Sequence, residues 1–138
     1  MEVQFVIPGE VKGKGRPRAT IKGGYAMLYT PKDTVNYENL VKFIYTQKYD
    51  HKFYQSKPLY ANIYAYFNIP KSTSKKNLID MQNKVLRPLK APDTDNIAKI
   101  ILDALNKIAY DDDKQIVRLC VGKYYSETPR VEVEIGEL

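Results

Sequence analysis

The sequence predicts an α+β fold: one mixed, mostly antiparallel sheet with two main helices packed mainly on one face. Apolar residues alternate with polar ones in several short stretches, which is typical of strands that are covered on one side. Two longer stretches, 33–49 and 94–108, instead repeat their apolar residues at helical spacing. The 138 residues are enough for one hydrophobic core, so we expect a single domain over 1–138.

The strands follow one another along the chain. A short strand over 3–7 comes first, and a second over 25–30 follows a pair of glycines. The clearest strand is 59–69, where aliphatic and small residues take one face and tyrosines the other. The tyrosines suit stacking on bases or packing on another subunit, but we favour cover by a helix. We expect the last two strands, 116–125 and 131–135, to pair as a hairpin.

The two main helices are predicted from their apolar stripes and their first residues. The helix over 33–49 begins with Asp33 as its N-cap and turns an apolar stripe toward the core. The helix over 94–108 follows Asp93, an N-cap residue, and has the sharper stripe of the two. Both helices should therefore pack on the apolar face of the sheet.

The composition excludes several classes of protein. No apolar run approaches the roughly 20 residues that cross a bilayer, and the first residues show neither the basic leader nor the apolar stretch of a signal peptide. The single cysteine, Cys120, excludes an internal disulfide. With only one histidine and one cysteine, the chain also has too few of the usual ligands for a zinc site. A net charge of +6 favours a polyanionic partner. We expect a cytoplasmic protein without membrane contact.

Two basic blocks are candidates for DNA contact. The block at 11–18 places four cations among two glycines and a proline, so that backbone N–H groups and arginines can face phosphate. The block at 71–90 carries six basic residues and one acid. Backbone charge dominates nucleic-acid affinity, although a solvated, mobile loop is an alternative for 11–18. The candidate DNA-binding residues are Lys12, Lys14, Arg16, Arg18, Lys71, Lys75, Lys76, Lys84, Arg87 and Lys90.

An acidic island interrupts this basic chain. Asp93 and Asp95 stand at the start of the second main helix, Lys99 lies one turn further on, and three consecutive acids occupy 111–113. Grouped carboxylates suit Mg²⁺, which binds a scissile phosphate and lowers the pKa of an attacking water, while a lysine stabilises the developing charge. Singly, each acid has an ordinary alternative as a helix cap, an exposed ion pair or a solvated turn. Together, in a basic chain, they predict a metal-dependent nuclease.

Three segments of this island carry a recognisable signature. They are Pro92-Asp93-Thr94-Asp95-Asn96-Ile97-Ala98-Lys99, then Asp103-Ala104-Leu105, then Asp112-Asp113-Lys114-Gln115-Ile116. These segments resemble the RusA-type Holliday junction resolvases, and the loop Gly-Lys-Gly-Arg-Pro-Arg at 13–18 is similar to that of many phage-type members. The resemblance covers the whole chain, and its D-x-D-N-x-x-K element joined to D-D-x-Q is fairly specific.

The resemblance implies an activity and a set of residue roles. It implies Mg²⁺ ligands at Asp93, Asp95 and Asp113, with Mn²⁺ as an alternative ion, together with an assisting Asp112 and a catalytic Lys99. It also implies a homodimeric endonuclease that nicks four-way DNA junctions symmetrically, in a bacterium or a phage-infected host. The extra acid that precedes Asp112 departs from the pattern, and we prefer Asp113 as the ligand by counting back from Gln115.

The predicted helix is about 20 Å long at 1.5 Å per residue, which places Asp113 near the opposite end from Asp93. Either the chain folds back to the helix start, or an acid of 111–113 completes the site of the other subunit. We hypothesise a site at or near a two-fold dimer interface, because a two-fold dimer presents equivalent sites to opposing strands of a junction.

Other functions are compatible with the same residues. Pro92-Asp93 followed by Asp112-Asp113-Lys114 also fits a PD-(D/E)xK nuclease, in which Lys114 rather than Lys99 is the catalytic lysine. A flap or branch nuclease would use the same acids on another DNA. A non-catalytic module for branched DNA would bind junctions equally well without Mg²⁺ and would not cut them.

Overall fold

The computed structural model describes all 138 residues as a single α+β domain of three helices and two sheets. The elements in chain order are β1 Glu2–Pro8, β2 Arg18–Lys22, β3 Tyr25–Tyr29, α1 Lys32–Lys48, β4 Leu59–Asn68, α2 Lys75–Gln82, α3 Thr94–Ala104, a 3₁₀ turn Asp113–Gln115, β5 Ile116–Ser126 and β6 Arg130–Glu137. The predicted fold class is confirmed. None of the helices combines the length and the hydropathy that a membrane span requires.

The main sheet has the strand order β1-β6-β4-β5. β6 is antiparallel to both β1 and β4, whereas β4 and β5 run parallel. The predicted hairpin of the last two strands is therefore wrong, because β4 lies between them. Every second residue of β4 is buried from Leu59 to Phe67, which suits a central strand, whereas β5 has one buried residue, Gly122, and suits an edge.

The core lies between one face of this sheet and the helices α1 and α3. It gathers 25 buried residues, including the apolar face of β4 and the stripe of α3. The opposite face of β4 carries the tyrosines. We expected a helix to cover them, but the two main helices, α1 and α3, both pack on the other face. Tyr66 instead stacks on Tyr124 at 5.5 Å, and the Arg130 guanidinium lies 4.0 Å from the Tyr66 ring.

The start of α1 differs from the predicted one by one residue. The helix begins at Lys32 with Pro31 in the cap position, where φ is −54° and ψ is 143°. Asp33 therefore lies in the first turn, and its expected role as N-cap is wrong. Proline fixes a φ that suits the entry to a helix, and the Pro31 carbonyl accepts a hydrogen bond from the Val35 N–H at 3.1 Å.

α3 ends at Ala104, four residues before the predicted end. Lys107 adopts a positive φ of 69°, which breaks the helical backbone. The apolar period nevertheless continues through this turn, because Leu105, Ala109 and Tyr110 are fully buried. The Tyr110 hydroxyl donates to the carbonyl of Leu102 at 2.6 Å and ties the turn to the helix. The chain reverses here and brings 111–113 back beside the end of α3.

Candidate active site

The start of α3 presents two carboxylates together. Asp93 is the N-cap and Asp95 lies in the first turn; both are exposed, and their carboxyl groups are within hydrogen-bonding reach of each other. Partial desolvation acts to raise the pKa of Asp93, but hydrogen bonds with Asn96 and Asp95 outweigh it and hold that pKa below its usual value. The positive end of the helix dipole also favours negative charge here.

Lys99 lies on the same helix one turn after Asp95. Its side chain is exposed and makes no ion pair within the chain. Residues four apart on a helix have neighbouring side chains about 6 Å apart at Cβ. The ammonium of Lys99 is therefore free to reach a phosphate held beside Asp95.

The three consecutive acids have three different environments. Asp111 pairs with Lys107 at 3.3 Å and with Lys52 at 3.6 Å, and the hydrogen bond from Lys107 is the main cause of its lowered pKa. Asp112 caps the 3₁₀ turn: its Oδ1 accepts from the Lys114 N–H at 2.9 Å, which lowers its pKa. These contacts fix the conformation of the extra acid and its neighbour.

Asp113 makes no ion pair, and of the triplet only its pKa is raised. Partial burial, together with hydrogen bonding to Asp112 and the negative charge of Asp103, raises its pKa above the usual value. Its backbone N–H donates to Oδ1 of Asn106 at 3.0 Å. A carboxylate that lies among acids and lacks a positive partner suits a place where a cation binds.

Asp113 lies at the end of α3 remote from Asp93 and Asp95. Its side-chain neighbour on the helix is Asp103, ten residues after Asp93, or about 15 Å along the axis at 1.5 Å per residue. Within one chain, no three His, Cys, Asp or Glu side chains are grouped so that they could hold a metal ion. The structure thus brings Asp93 and Asp95 together and leaves Asp113 apart from both.

A basic hollow of about 380 Å³ opens beside Asp93. Lys90 from the second basic block and Lys123 from β5 line it, together with Asn96. The Lys123 ammonium donates to the carbonyl of Lys90 at 2.6 Å, so β5 holds the end of the basic block in place. The sequence analysis did not predict Lys123 as a site residue, because nothing distinguishes one lysine in an alternating strand from any other. It named Asn96 only as part of the motif at 92–99 and gave it no role.

The basic loop at 11–18 is docked on both main helices. The Lys14 N–H donates to the carbonyl of Asn96 at 3.1 Å, and the Gly15 N–H donates to Oγ1 of Thr34 at 3.0 Å. A Cβ on Gly13 would lie 2.7 Å from Cβ of Pro92, so only glycine allows this approach. The loop therefore has a defined place next to the two carboxylates of α3.

Two comparisons relate this chain to known proteins. The RusA family, described as endodeoxyribonuclease RusA, matches residues 8–136. The chain belongs to the RusA family. It is also similar to the uncharacterized protein YqaN of Bacillus subtilis strain 168, with 36% identity over 138 residues that cover 99% of this chain and 96% of YqaN. RusA membership makes the chain a hydrolytic DNA endonuclease that acts on Holliday junctions.

The cations of this RusA-family chain divide into free and engaged groups. Lys12, Arg16 and Arg18 line a polar hollow of about 400 Å³ beside the start of α1 and make no ion pair. In the second block the guanidinium of Arg87 packs 4.1 Å from the Tyr124 ring, and its Nε donates to the carbonyl of Lys123 at 2.8 Å. The free cations are the ones best placed to contact phosphate, and the predicted DNA contacts stay predictions.

Lys14 is the cation most tightly engaged within the chain. Its ammonium lies 2.7 Å from Oε2 of Glu38 on α1 and 3.2 Å from Oδ2 of Asp103 on α3. Burial acts to lower the pKa of Lys14, but its hydrogen bonds to these two carboxylates outweigh burial and raise it. The DNA contact predicted for Lys14 therefore competes with an ion pair that links the basic loop to both helices.

Replacing Lys14 with Met should lower the free energy of unfolding by about 1–3 kcal/mol, because Glu38 and Asp103 would lose their charged donor while partly buried. Urea denaturation measures this loss. Lys12→Met is the matched control, since Lys12 makes no ion pair; we expect a change within about 0.5 kcal/mol. Equal losses in both variants would show that the ion pair adds nothing.

Proposed function

We propose that this chain resolves four-way DNA junctions by paired symmetric nicks, in a reaction that depends on Mg²⁺ and is carried out by a homodimer in the cytoplasm. Residues 1–138 act as one nuclease domain. The observation that carries the proposal is the pair of exposed carboxylates, Asp93 and Asp95, at the start of α3, flanked by two basic hollows.

The donor set at this site fits a hard divalent cation. Asp93, Asp95 and Asp113 offer carboxylate oxygens alone, which Mg²⁺ and Mn²⁺ prefer over zinc-type nitrogen and sulfur ligands. The bound ion supplies positive charge at the scissile phosphate and lowers the pKa of an attacking water. Asp112 lies within hydrogen-bonding reach of Asp113 and orients it.

The remaining residues bind and orient the substrate. Lys99 stabilises negative charge on the phosphate, or on the oxygen that leaves, from its position one turn after Asp95. Lys12, Arg16 and Arg18 hold the strand through its phosphates in the hollow beside α1. Together these contacts fix the phosphodiester for attack in line with the leaving oxygen.

We propose that each metal site is shared between two subunits, because one chain holds Asp93 and Asp95 at one end of α3 and Asp113 at the other. The two edges of the sheet differ in a way that supports this proposal. The outer edge of β1 is covered at Gln4, whose N–H donates to the Tyr49 hydroxyl at 3.0 Å and whose carbonyl accepts from Lys48 at 2.7 Å. Such contacts prevent another strand from pairing there.

The outer edge of β5 is open along its first half. The residues from Val117 to Cys120 are all exposed, and Val117 and Leu119 are apolar. Strands related by a two-fold axis pair antiparallel, so the partner's β5 would run in the opposite direction. This pairing carries Asp113 of the partner subunit toward Lys123, which lines the hollow beside Asp93. One interface thus supplies both the dimer and the third ligand.

Incubation of the purified protein with a labelled four-way junction tests the proposed activity. We expect cleavage with Mg²⁺ and none with a chelator. Asp95→Asn should reduce the cleavage rate by on the order of a hundredfold or more, because it removes a carboxylate ligand.

Lys99→Ala should slow cleavage similarly, whereas Lys114→Ala should cut at nearly the normal rate. Lys114 is the matched control because it is an exposed lysine in the 3₁₀ turn, and it would be the catalytic lysine of a PD-(D/E)xK nuclease. The reverse ranking, or binding without any cleavage, would contradict the proposal.

Heterodimers of Asp93→Asn and Asp113→Asn subunits should recover nicking activity if the sites are shared. Each such heterodimer contains one fully intact site and one doubly altered site, so we expect nicks in one strand without paired cleavage. Co-expression with two affinity tags isolates the heterodimers, and denaturing gels report the nicks. The matched control pairs a wild-type subunit with the Asp93→Asn/Asp113→Asn double variant. Shared sites leave that heterodimer inactive, whereas sites within one subunit leave it able to nick.

Leu119→Glu should convert the dimer to monomers, because it places like charges at the proposed strand pairing. Val6→Glu is the matched control: Val6 is 47% exposed on the opposite edge strand, and Leu119 is 46% exposed. Light scattering after size exclusion measures the mass, and we expect a dimer for Val6→Glu. A dimeric Leu119→Glu variant with full junction cleavage would rule out this interface.

A further inference from the structure

The hairpin of β2 and β3 stands apart from the rest of the fold. Its strands pair only with each other, and all ten of their residues are exposed. Gly23 and Gly24 join the strands with φ angles of 61° and 82°, and a positive φ at both positions is typical of the narrow type I′ turn. The sequence analysis predicted only the second of these strands.

The hairpin exposes large apolar side chains that contribute nothing to the core. Ile21, Tyr25 and Leu28 are 81%, 77% and 75% exposed, and Met27 and Tyr29 are about half exposed. Scattered apolar residues are common on protein surfaces, but several on one short element mark an interaction surface. The hairpin is therefore a candidate binding surface, and the types of its side chains indicate which kind of partner it suits.

The register separates the two faces of the hairpin. Arg18 lies opposite Tyr29 and Lys22 lies opposite Tyr25, with Met27 between the tyrosines. Paired residues of a ladder share a face, so this face alternates cations with aromatic rings. The other face consists of Ala19, Ile21, Ala26 and Leu28. Proteins that bind single-stranded nucleic acid combine cations for the backbone with aromatic rings on which bases stack.

The charge of the segment selects an anionic partner. Residues 11–32 contain six cations and no acid. Arg18 belongs both to the hairpin and to the hollow proposed for phosphate, so a strand held in that hollow continues onto the face with the tyrosines. Each five-residue strand is about 17 Å long at 3.3 Å per residue, which is long enough to extend past several bases.

We propose that the β2–β3 hairpin is a DNA-binding arm that reads the branch point. Tyr25 and Tyr29 stack on bases that lose their neighbours where the strands exchange, and Arg18 and Lys22 hold the adjacent phosphates. Bases in a continuous duplex remain stacked on each other, so the arm favours branched over linear DNA. This proposal rests on the proposed function and names the part of the substrate that is recognised.

The double variant Tyr25→Ala/Tyr29→Ala tests the arm. In a chelator, so that no DNA is cut, we expect the Kd for a labelled four-way junction to rise about tenfold or more, because stacking of one base contributes about that much. The Kd for a linear duplex of the same sequence should change by less than about twofold. Tyr25→Phe/Tyr29→Phe should restore junction binding, since the ring is retained.

Ile21→Ala/Leu28→Ala is the matched control on the opposite face, with similar exposure of the residues replaced. A 2-aminopurine base beside the branch point reports stacking on an aromatic ring, which quenches its fluorescence. The fluorescence should fall on binding of the wild type and of this control, but not of the alanine pair at the tyrosines. All variants should unfold at the wild-type urea midpoint, because the hairpin lies outside the core.

Three results would overturn the proposal. If the wild type cuts junctions and the Tyr25→Ala/Tyr29→Ala variant binds them equally tightly, the proposed role of the hairpin is wrong and the nuclease function stands. If variants on either face turn a dimer into a monomer, the hairpin is an interface between copies of the chain. If the wild type neither binds nor cuts junctions, the proposed function and the arm fall together.

Discussion

The ammonium group of Lys14 connects the three parts of the molecule on which the site depends. It comes from the basic loop, and it lies between Glu38 of α1 and Asp103 of α3. Without this cation the two helices would present facing carboxylates at short range, which is unfavourable in a partly buried setting. The same contact fixes the loop beside Asp93, because the Lys14 N–H donates to the carbonyl of Asn96. Basic loop and acidic helix therefore form one rigid surface.

The separation of the acids within one chain has a physical reason. Asp93, Asp95 and Asp113 would repel one another if they converged without a cation, and folding would have to oppose that repulsion. The chain instead keeps one pair solvated at the start of α3 and places Asp113 beside Asp103 at the other end. In the proposed dimer these acids would converge only across the interface, where a bound ion would offset their repulsion. The folded monomer would then not have to oppose that repulsion by itself.

The fold was largely predictable, because its main elements depend on local periodicity. β4 and α3 each carry a pattern that only one type of element satisfies. The arrangement of the last two strands was not predictable. Strands that are neighbours in sequence usually pair, and nothing in the local sequence shows that β4 lies between β5 and β6. The end of α3 was also hidden, since Leu105 and Ala109 keep the apolar period through a turn.

The site was predictable in its residue types and less so in its geometry. The motif singled out Asp93, Asp95 and the triplet, and it favoured Asp113 as the ligand by its distance from Gln115. The turn at Lys107 gives the acids different environments, because it brings the Lys107 ammonium to Asp111, whereas Asp113 makes no ion pair. The engagement of Lys14 had no signal either, since its partners Glu38 and Asp103 are 24 and 89 residues away in the chain.

At the proposed site the distribution of charge would also couple DNA binding to metal binding. The exposed carboxylates of Asp93 and Asp95 repel a phosphate, whereas the cations of the basic loop, which line the hollow beside α1, attract the DNA strand. At the proposed site, Asp93 and Asp95 would hold a divalent ion whose charge would offset this repulsion, so each ligand would raise the affinity of the other by the same factor. By charge, the aspartates alone would oppose DNA, and the basic loop alone would bind it wherever phosphate is found. At the proposed site the two together would make binding at the cleavage position depend on the metal, which would confine tight contact with the scissile phosphate to the state that can cut.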